Sequence, residues 1–298
     1  MKKTTQWWTV CSVAAIALWS GCDLINPAEE TPAYLYVTGY ELNTDVLDEG
    51  SNSHKITDVW LSVDGNFLGV YTLPALIPVL ETGEHVLTLD AGIKDNGINS
   101  TPEIYPFYQS YQVTVDLQAN QTDTIRPVTQ YRNTTKFAFI EPFETTQHQF
   151  REVRQPAGGT GIQISTLDVF EGQSSALINL DTAKQFVEIA TLNKYRDLLK
   201  TGAYVYLEVN YKSDVPAIFG VIGHLDGGGI GSTATLYEPG FLPKNEWNKI
   251  YFNLTKMIFD GDFDAYQITF QAFIPSENNK PTLNAAKIWL DNIKLVHF

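Results

Sequence analysis

Cysteine is nearly absent from this chain of 298 residues. The only two, Cys11 and Cys22, lie close to the N-terminus, and the rest of the sequence contains none. An intramolecular disulfide, a cysteine-ligated zinc site and thiol catalysis are therefore excluded for residues 23–298. The remaining length suffices for two domains of ordinary size, whose stability must come from the burial of apolar surface.

Positive charge is also scarce. Lys and Arg number 20 against 34 Asp and Glu, which gives a formal net charge of −14. No basic cluster occurs in the sequence, so we expect no nucleic-acid partner, and an anionic membrane surface would repel the body of the protein. An acidic surface of this kind keeps an exported protein in solution.

Motifs for catalysis and phosphate binding are missing. The five histidines are scattered without a His-Glu-x-x-His pair, and no Gly-x-Ser-x-Gly elbow occurs. The glycine-rich segments 158–161 and 227–231 lack the Gly-Lys-Ser/Thr of a phosphate loop. An EF-hand alignment from Asp260 fails, since Ala265 replaces the required Gly and Gln271 the required Glu. We therefore expect a protein that is not an enzyme.

The N-terminus carries a secretory signal. Two lysines, an apolar run at 10–18 and the small pair Ser20-Gly21 are the three parts of a cleavable signal peptide at residues 1–21. A transmembrane anchor is the alternative, but the apolar run falls short of the roughly 20 residues that span a bilayer.

The end of this signal resembles that of a bacterial lipoprotein, in which Cys22 becomes the acylated first residue. Trp19 departs from the aliphatic residue preferred at its position. Two or more acyl chains anchor a protein stably where one does not. The resemblance implies a lipid-anchored protein. We expect it in the outer membrane, and the sequence does not distinguish the periplasmic leaflet from the surface-exposed one. Residues 22–32 read as a tether.

Residues 33–131 have the pattern of a first β-sandwich. Apolar and polar residues alternate from residue 34, and Asp64-Gly65 separates two alternating runs at 59–63 and 67–71, which predicts a hairpin. Further short strands follow, as in immunoglobulin-like sandwiches. The turn residues resemble those of the PEGA family, which implies an envelope-associated module without catalysis; the matching positions are Asp64-Gly65, Gly69, Pro74 and Gly83-Glu84-His85.

Residues 137–298 form a second all-β block. The segments 171–180, 246–254 and 288–295, with Phe143-Glu144 at the opening, resemble galactose-binding-like jelly rolls, the fold of many carbohydrate-binding modules. The segment 194–200, closed by Gly202, predicts the one short helix. One fold hosts many functions, so the resemblance implies a β-sandwich and only suggests a glycan ligand.

The same resemblance implies a structural calcium ion that joins the first strand of the jelly roll to the last. Glu144, the loop at Gly172 and Asp291 occupy the matching positions. Ca²⁺ requires six to eight oxygen ligands, which strand ends can supply. The alternative is that Asp291 caps a turn and Glu144 is simply exposed.

Aromatic residues are the main resource for binding, since flat rings with polar edges suit both sugars and protein interfaces. The apolar segment 103–111 either folds onto its own sandwich or forms an exposed contact patch. Loops on the second sandwich offer a further candidate surface. The candidate binding residues are Tyr105, Phe107, Tyr108, His224, Asp226 and Tyr237.

These features together predict a lipid-anchored envelope protein with two β-sandwiches and no chemistry of its own. Our first hypothesis is an accessory subunit that binds other outer-membrane proteins. The alternative is a surface lipoprotein that binds glycans through the second sandwich. Exposed rings on the concave face of that sandwich would favour the glycan.

Overall fold

The computed structural model describes residues 31–154, 161–199, 204–229, 231–238 and 240–298. The predicted signal peptide, Cys22 and most of the tether lie outside these residues. The described chain is built almost wholly from β-strands and contains a single α-helix, which confirms the all-β fold class. None of its helical structure is long and apolar enough to cross a bilayer.

Ten strands make up the first sandwich. They are β1 (Ala33–Val37), β2 (Glu41–Asn43), β3 (Asp58–Val63), β4 (Asn66–Thr72), β5 (Ala75–Val79), β6 (Gly83–Lys94), β7 (Pro102–Ile104), β8 (Tyr111–Leu117), β9 (Thr122–Ile125) and β10 (Val128–Gln130). One layer has the order β4-β3-β6, with β7 and β8 pairing along the far edge of β6. The other layer contains the sheet β5-β1-β9 and the pair β10-β2.

Alternation of side chains explains these elements. In β1, Leu35 and Val37 are buried and Tyr36 between them points outward, as the period of two requires. The predicted hairpin joins β3 to β4, and Asp64 and Gly65 both have positive φ, 49° and 80°. Such a turn matches the right-handed twist of the two strands, which is why Asp-Gly is favoured there.

In its described residues, the second sandwich contains thirteen strands and helix α1 (Thr255–Gly261). The strands are β11 (Lys136–Glu141), β12 (Phe150–Arg154), β13 (Gln163–Ser165), β14 (Ser175–Asp181), β15 (Phe186–Thr191), β16 (Val205–Ser213), β17 (Ala217–His224), β18 (Thr233–Tyr237), β19 (Lys244–Asn253), β20 (Ala265–Phe273), β21 (Ser276–Glu277), β22 (Lys280–Pro281) and β23 (Ala285–His297).

Two sheets enclose the core of this sandwich. The back sheet has the order β13-β14-β23-β16-β19, and β11 pairs with the second half of β23. The front sheet has the order β12-β15-β20-β17-β18. The rings of Phe219, Phe252 and Phe270 pack together between the two sheets, and all three are buried. This arrangement is the expected jelly-roll type of sandwich.

The helix prediction was wrong in its position. The described part of the predicted segment, 194–199, contains no helix, and its Tyr195 instead exchanges backbone hydrogen bonds with Tyr266 of β20. Strand pairing has overridden the local preference for a helix. The helix of the structure begins at Thr255 and ends at Gly261.

The two sandwiches share a buried interface. Tyr105, Phe107 and Tyr108 are at most 2% exposed. Tyr105 contacts Tyr206 and Tyr251 of the second sandwich at ring distances of 5.3 and 4.9 Å. The segment 103–111 is therefore neither a free contact patch nor folded onto its own sandwich alone. It is the layer that joins the sandwiches, and the three aromatic residues are unavailable as binding residues.

A buried ionic network lies under these rings. The Glu208 carboxylate is fully buried, accepts hydrogen bonds from Tyr105 and Tyr131 of the first sandwich at 2.7 Å each, and lies 2.7 Å from the Lys249 ammonium. Burial raises the pKa of Glu208, but Lys249 and Lys294 outweigh burial and hold the pKa below its usual value. Burial lowers the pKa of Lys294 to about 8. The network aligns the two sandwiches through charge as well as packing.

Candidate functional site

The candidate site is the outer face of the front sheet, which we call the front face. Along β17 and β20, the residues Phe219, Val221 and Phe270 point into the core. Their neighbours in sequence point outward, because side chains alternate along a strand. The polar outward residues are Gln267, Thr269 and Gln271 of β20, Glu188 of β15 and His224 of β17, whereas the other outward positions of β17 are isoleucine or glycine.

Tyr237 and Glu188 form the centre of the front face. Tyr237, at the end of β18, pairs with Gly220 of β17, where the absence of a side chain leaves room for the ring. A Cβ at Gly220 would lie 2.9 Å from Cδ1 of Tyr237. The hydroxyl of Tyr237 donates to Oε1 of Glu188 at 2.6 Å. Tyr237 is 38% exposed although Glu188 is only 7% exposed, so part of the tyrosine faces solvent while a buried carboxylate holds its hydroxyl.

His224 extends the polar surface towards the other end of β17. Its Nε2 lies 2.8 Å from Oε1 of Gln267 on β20. Burial lowers the pKa of His224, and the nearby Lys194 lowers it further, while the bond to Gln267 opposes both. The imidazole is therefore neutral at physiological pH and has both a donor and an acceptor nitrogen.

Asp226 lies in the loop that follows β17. Its carboxylate pairs with Arg196, whose Nη1 donates to Oδ2 at 2.9 Å, and this hydrogen bond holds the pKa of Asp226 below its usual range. The structure thus brings His224 and Tyr237 to the front face, whereas Asp226 forms an ion pair with Arg196 at the edge of that face. An exposed pair of this kind contributes little to stability and remains open to exchange.

Sequence reasoning missed most of the front face. Glu188, Gln267 and Gln271 were not singled out, although polar residues at every second position of β20 are a period-two signal. A partly exposed ring beside carboxylate, amide and imidazole groups can bind a ligand that has apolar faces and many hydroxyls.

The residues predicted to hold calcium converge on one loop, where their carboxylates accept backbone hydrogen bonds. Both carboxylate oxygens of Glu144 accept the backbone N–H of Gln173, and a Cβ at Gly172 would lie 1.9 Å from Glu144 Oε1. Glycine is therefore needed there for the close approach of the carboxylate.

Asp291 is similarly occupied by hydrogen bonds. Its carboxylate accepts the N–H groups of Phe170, Glu171 and Asn292, while burial raises its pKa to about 7. In the part of the chain that the structure describes, no three acidic, histidine or cysteine side chains are placed to hold a metal ion. The hydrogen bonds of Glu144 and Asp291 therefore hold the loop 170–174 in place.

Comparison with known proteins gives structural neighbours only. No protein-family model and no curated protein matches the chain. A family 30 carbohydrate-binding module of a cellulosomal cellulase from Clostridium thermocellum is 12% identical, with a TM-score of 0.38, over 53% of this chain and 96% of its own.

Two other solved structures are similar in the same way. A carbohydrate-binding module of the β-sandwich superfamily is 13% identical, with a TM-score of 0.38, over 90% of this chain and 99% of its own. A family 29 carbohydrate-binding module is 18% identical, with a TM-score of 0.31, over 56% of this chain and 92% of its own. Similarity at this level gives no residue-by-residue correspondence.

Proposed function

We propose that the protein is a non-catalytic glycan-binding protein that uses the front face of its second sandwich. The observation that carries this proposal is the exposed ring of Tyr237, which Glu188 holds over a polar sheet face. Sugars present C–H groups on one face and hydroxyls at their edges. An aromatic ring with hydrogen-bonding neighbours complements both, and a fixed ring loses little conformational entropy on binding.

The first sandwich has a supporting role in this proposal. Its aromatic segment is buried in the interface with the second sandwich. Tyr105, Phe107 and Tyr108 therefore cannot bind outer-membrane proteins. The sandwich instead holds the front face away from the N-terminal tether. Its sequence resemblance to PEGA modules agrees with such a role.

Replacement of Tyr237 tests the proposed face. Tyr237→Ala should weaken binding to any polysaccharide that retards the unmodified protein by about tenfold or more. A ring stacked on a sugar contributes to the binding free energy both through the area it buries and through the geometry of the stack. Tyr237→Phe should keep most of the affinity, since it removes only the bond to Glu188. Retardation of the protein in gels that contain polysaccharides, followed by calorimetry on those that bind, provides the measurement.

Tyr36→Ala is a matched control, because Tyr36 is 36% exposed but lies on the first sandwich. The control should bind as the unmodified protein does. Equal binding by the Tyr237→Ala variant would contradict the assignment of the front face.

We further propose that acyl chains on Cys22 attach the protein to the outer membrane. Cys22→Ala should move the protein from the membrane pellet to the soluble fraction, since the described residues contain no helix able to span a bilayer. Fractionation followed by a high-salt wash measures this. A variant that stays in the washed pellet would mean that another attachment exists.

A further inference from the structure

A cleft of about 950 Å³ lies between the two sandwiches. Its walls come from β6 and the turn after it in the first sandwich, and from β19 and the loops around residues 216 and 241 in the second. The volume is within the range of about 300–1,000 Å³ that is typical of ligand sites. The cleft meets the front face, because Ile218 and Phe273 line the cleft and have the outward parity of the front sheet.

The charge of this cleft is opposite to that of the protein. Four lysines line it, namely Lys55, Lys94, Lys244 and Lys249, and no acidic residue does. The chain as a whole carries 34 acidic residues against 20 basic ones. A positive cleft in so acidic a protein concentrates anions that the remaining surface repels. We call it the lysine cleft.

Two of the lysines are neutralised from behind by buried carboxylates. The Lys94 ammonium lies 2.8 Å from Asp58, which is 1% exposed, and the Lys249 ammonium lies 2.7 Å from the fully buried Glu208. These pairs belong to the framework of the cleft. They leave the net positive charge of the lysine cleft to Lys55 and Lys244.

Lys55 and Lys244 are exposed and line the same cleft, near enough for the charge of Lys244 to act on Lys55. Among the described residues, no carboxylate oxygen lies within 4.0 Å of either ammonium group. The Lys55 ammonium donates to the side-chain carbonyl of Asn248. Burial lowers the pKa of Lys55, and the charge of Lys244 lowers it further. A bound anion would relieve this repulsion.

The other lining groups indicate which kind of anion fits. The side-chain amides of Asn99 and Asn248 offer both donors and acceptors, which suit hydroxyl groups. Ile98 and Leu242 are 46% and 73% exposed and offer apolar contacts. A small inorganic anion would use only the lysines. A chain of sugar rings with carboxylate groups would use all of these groups at once.

We propose that the lysine cleft binds carboxylate-bearing sugar units of an acidic glycan, with Lys55 and Lys244 each pairing with a carboxylate. This rests on the proposed function and gives it a substrate class. The front face then contacts neutral parts of the same chain, and the lysine cleft supplies the preference for acidic glycans.

Calorimetry with the mature protein and its variants tests the proposal. The probes are three acidic polysaccharides (polygalacturonate, alginate and hyaluronate), three neutral ones (galactan, xylan and mannan) and polyglutamate as a polyanion without sugars. We expect tighter binding of at least one acidic polysaccharide than of any neutral one, with an affinity that falls as ionic strength rises. Polyglutamate should bind at least tenfold more weakly than that polysaccharide.

The lysine variants separate this proposal from the front face. Lys55→Gln with Lys244→Gln should reduce affinity for the acidic polysaccharide by about tenfold or more, since each removes a charge-assisted hydrogen bond. Lys280→Gln, on the exposed hairpin of β21 and β22, is the matched control and should change nothing.

Each remaining outcome is decisive. Acidic polysaccharides that bind no better than neutral ones, or that bind the double variant unchanged, would overturn the lysine cleft and leave the front face standing. Equal binding of polyglutamate would overturn the sugar component. Loss of binding in the lysine variant, with no effect of Tyr237→Ala, would support the lysine cleft and overturn the front face.

Discussion

Replacing Glu208 with alanine is expected to lower the free energy of unfolding by about 3–5 kcal/mol, the usual cost of breaking a buried ion pair from one side. The change leaves the Lys249 ammonium buried without its carboxylate and removes the acceptor of two tyrosine hydroxyls. Glu208→Gln should lose less, because the amide oxygen still accepts hydrogen bonds while the charge is gone. Urea denaturation followed by circular dichroism provides both values.

An exposed glutamate provides the control for this experiment. Glu277 lies on the hairpin of β21 and β22, and Glu277→Ala should change the unfolding free energy by no more than about 0.5 kcal/mol. A Glu208→Ala variant as stable as this control would mean that the network contributes alignment without stability. In that case, replacing Glu208, Lys249 and Lys294 together by methionines should also be tolerated.

The two sandwiches are expected to behave very differently when separated. A fragment of residues 136–298 should unfold cooperatively, because the rings of Phe219, Phe252 and Phe270 form a core that needs nothing from the first sandwich. A fragment of residues 31–131 should not fold stably. Its core is continuous with Tyr206, Tyr251 and Val296 of the second sandwich, which that fragment lacks.

Thermal unfolding and binding of a hydrophobic dye measure the difference. The fragment 31–131 should bind the dye and lack a cooperative transition, since removal of the second sandwich exposes Tyr105, Phe107 and Tyr108. Mixing the two fragments should restore the transition. If the fragment 31–131 alone unfolds cooperatively, at the same unfolding temperature as the whole protein, that result would contradict the shared core.

The alternation of side chains made most strands predictable. The predicted runs 59–63 and 67–71 lie within β3 and β4, and the turn at Asp64-Gly65 is where the sequence indicated it. These are local effects, because a period of two and a turn with positive φ depend only on neighbouring residues. The helix predicted at 194–200 could not be judged in this way, since the backbone of Tyr195 pairs with Tyr266, which is distant in sequence.

The candidate site was only partly predictable for a similar reason. Tyr237 and His224 were predicted because they are an aromatic residue and a residue beside a loop. Glu188 could not be predicted, because its contact with Tyr237 depends on β15 and β18 lying in one sheet. Conversely, Tyr105 was predicted as a binding residue because nothing local shows that a second domain covers it. An apolar segment looks the same in sequence whether its partner is another protein or the next domain of its own chain.

Under the proposed acylation of Cys22, the position of β1 has a mechanical consequence. This strand lies between β5, with which it runs antiparallel, and β9, with which it runs parallel. A pull transmitted through the tether therefore acts on a strand that is hydrogen-bonded along both edges. Both rows of bonds must break before the strand can leave, so the first sandwich resists traction at the point where the chain enters it.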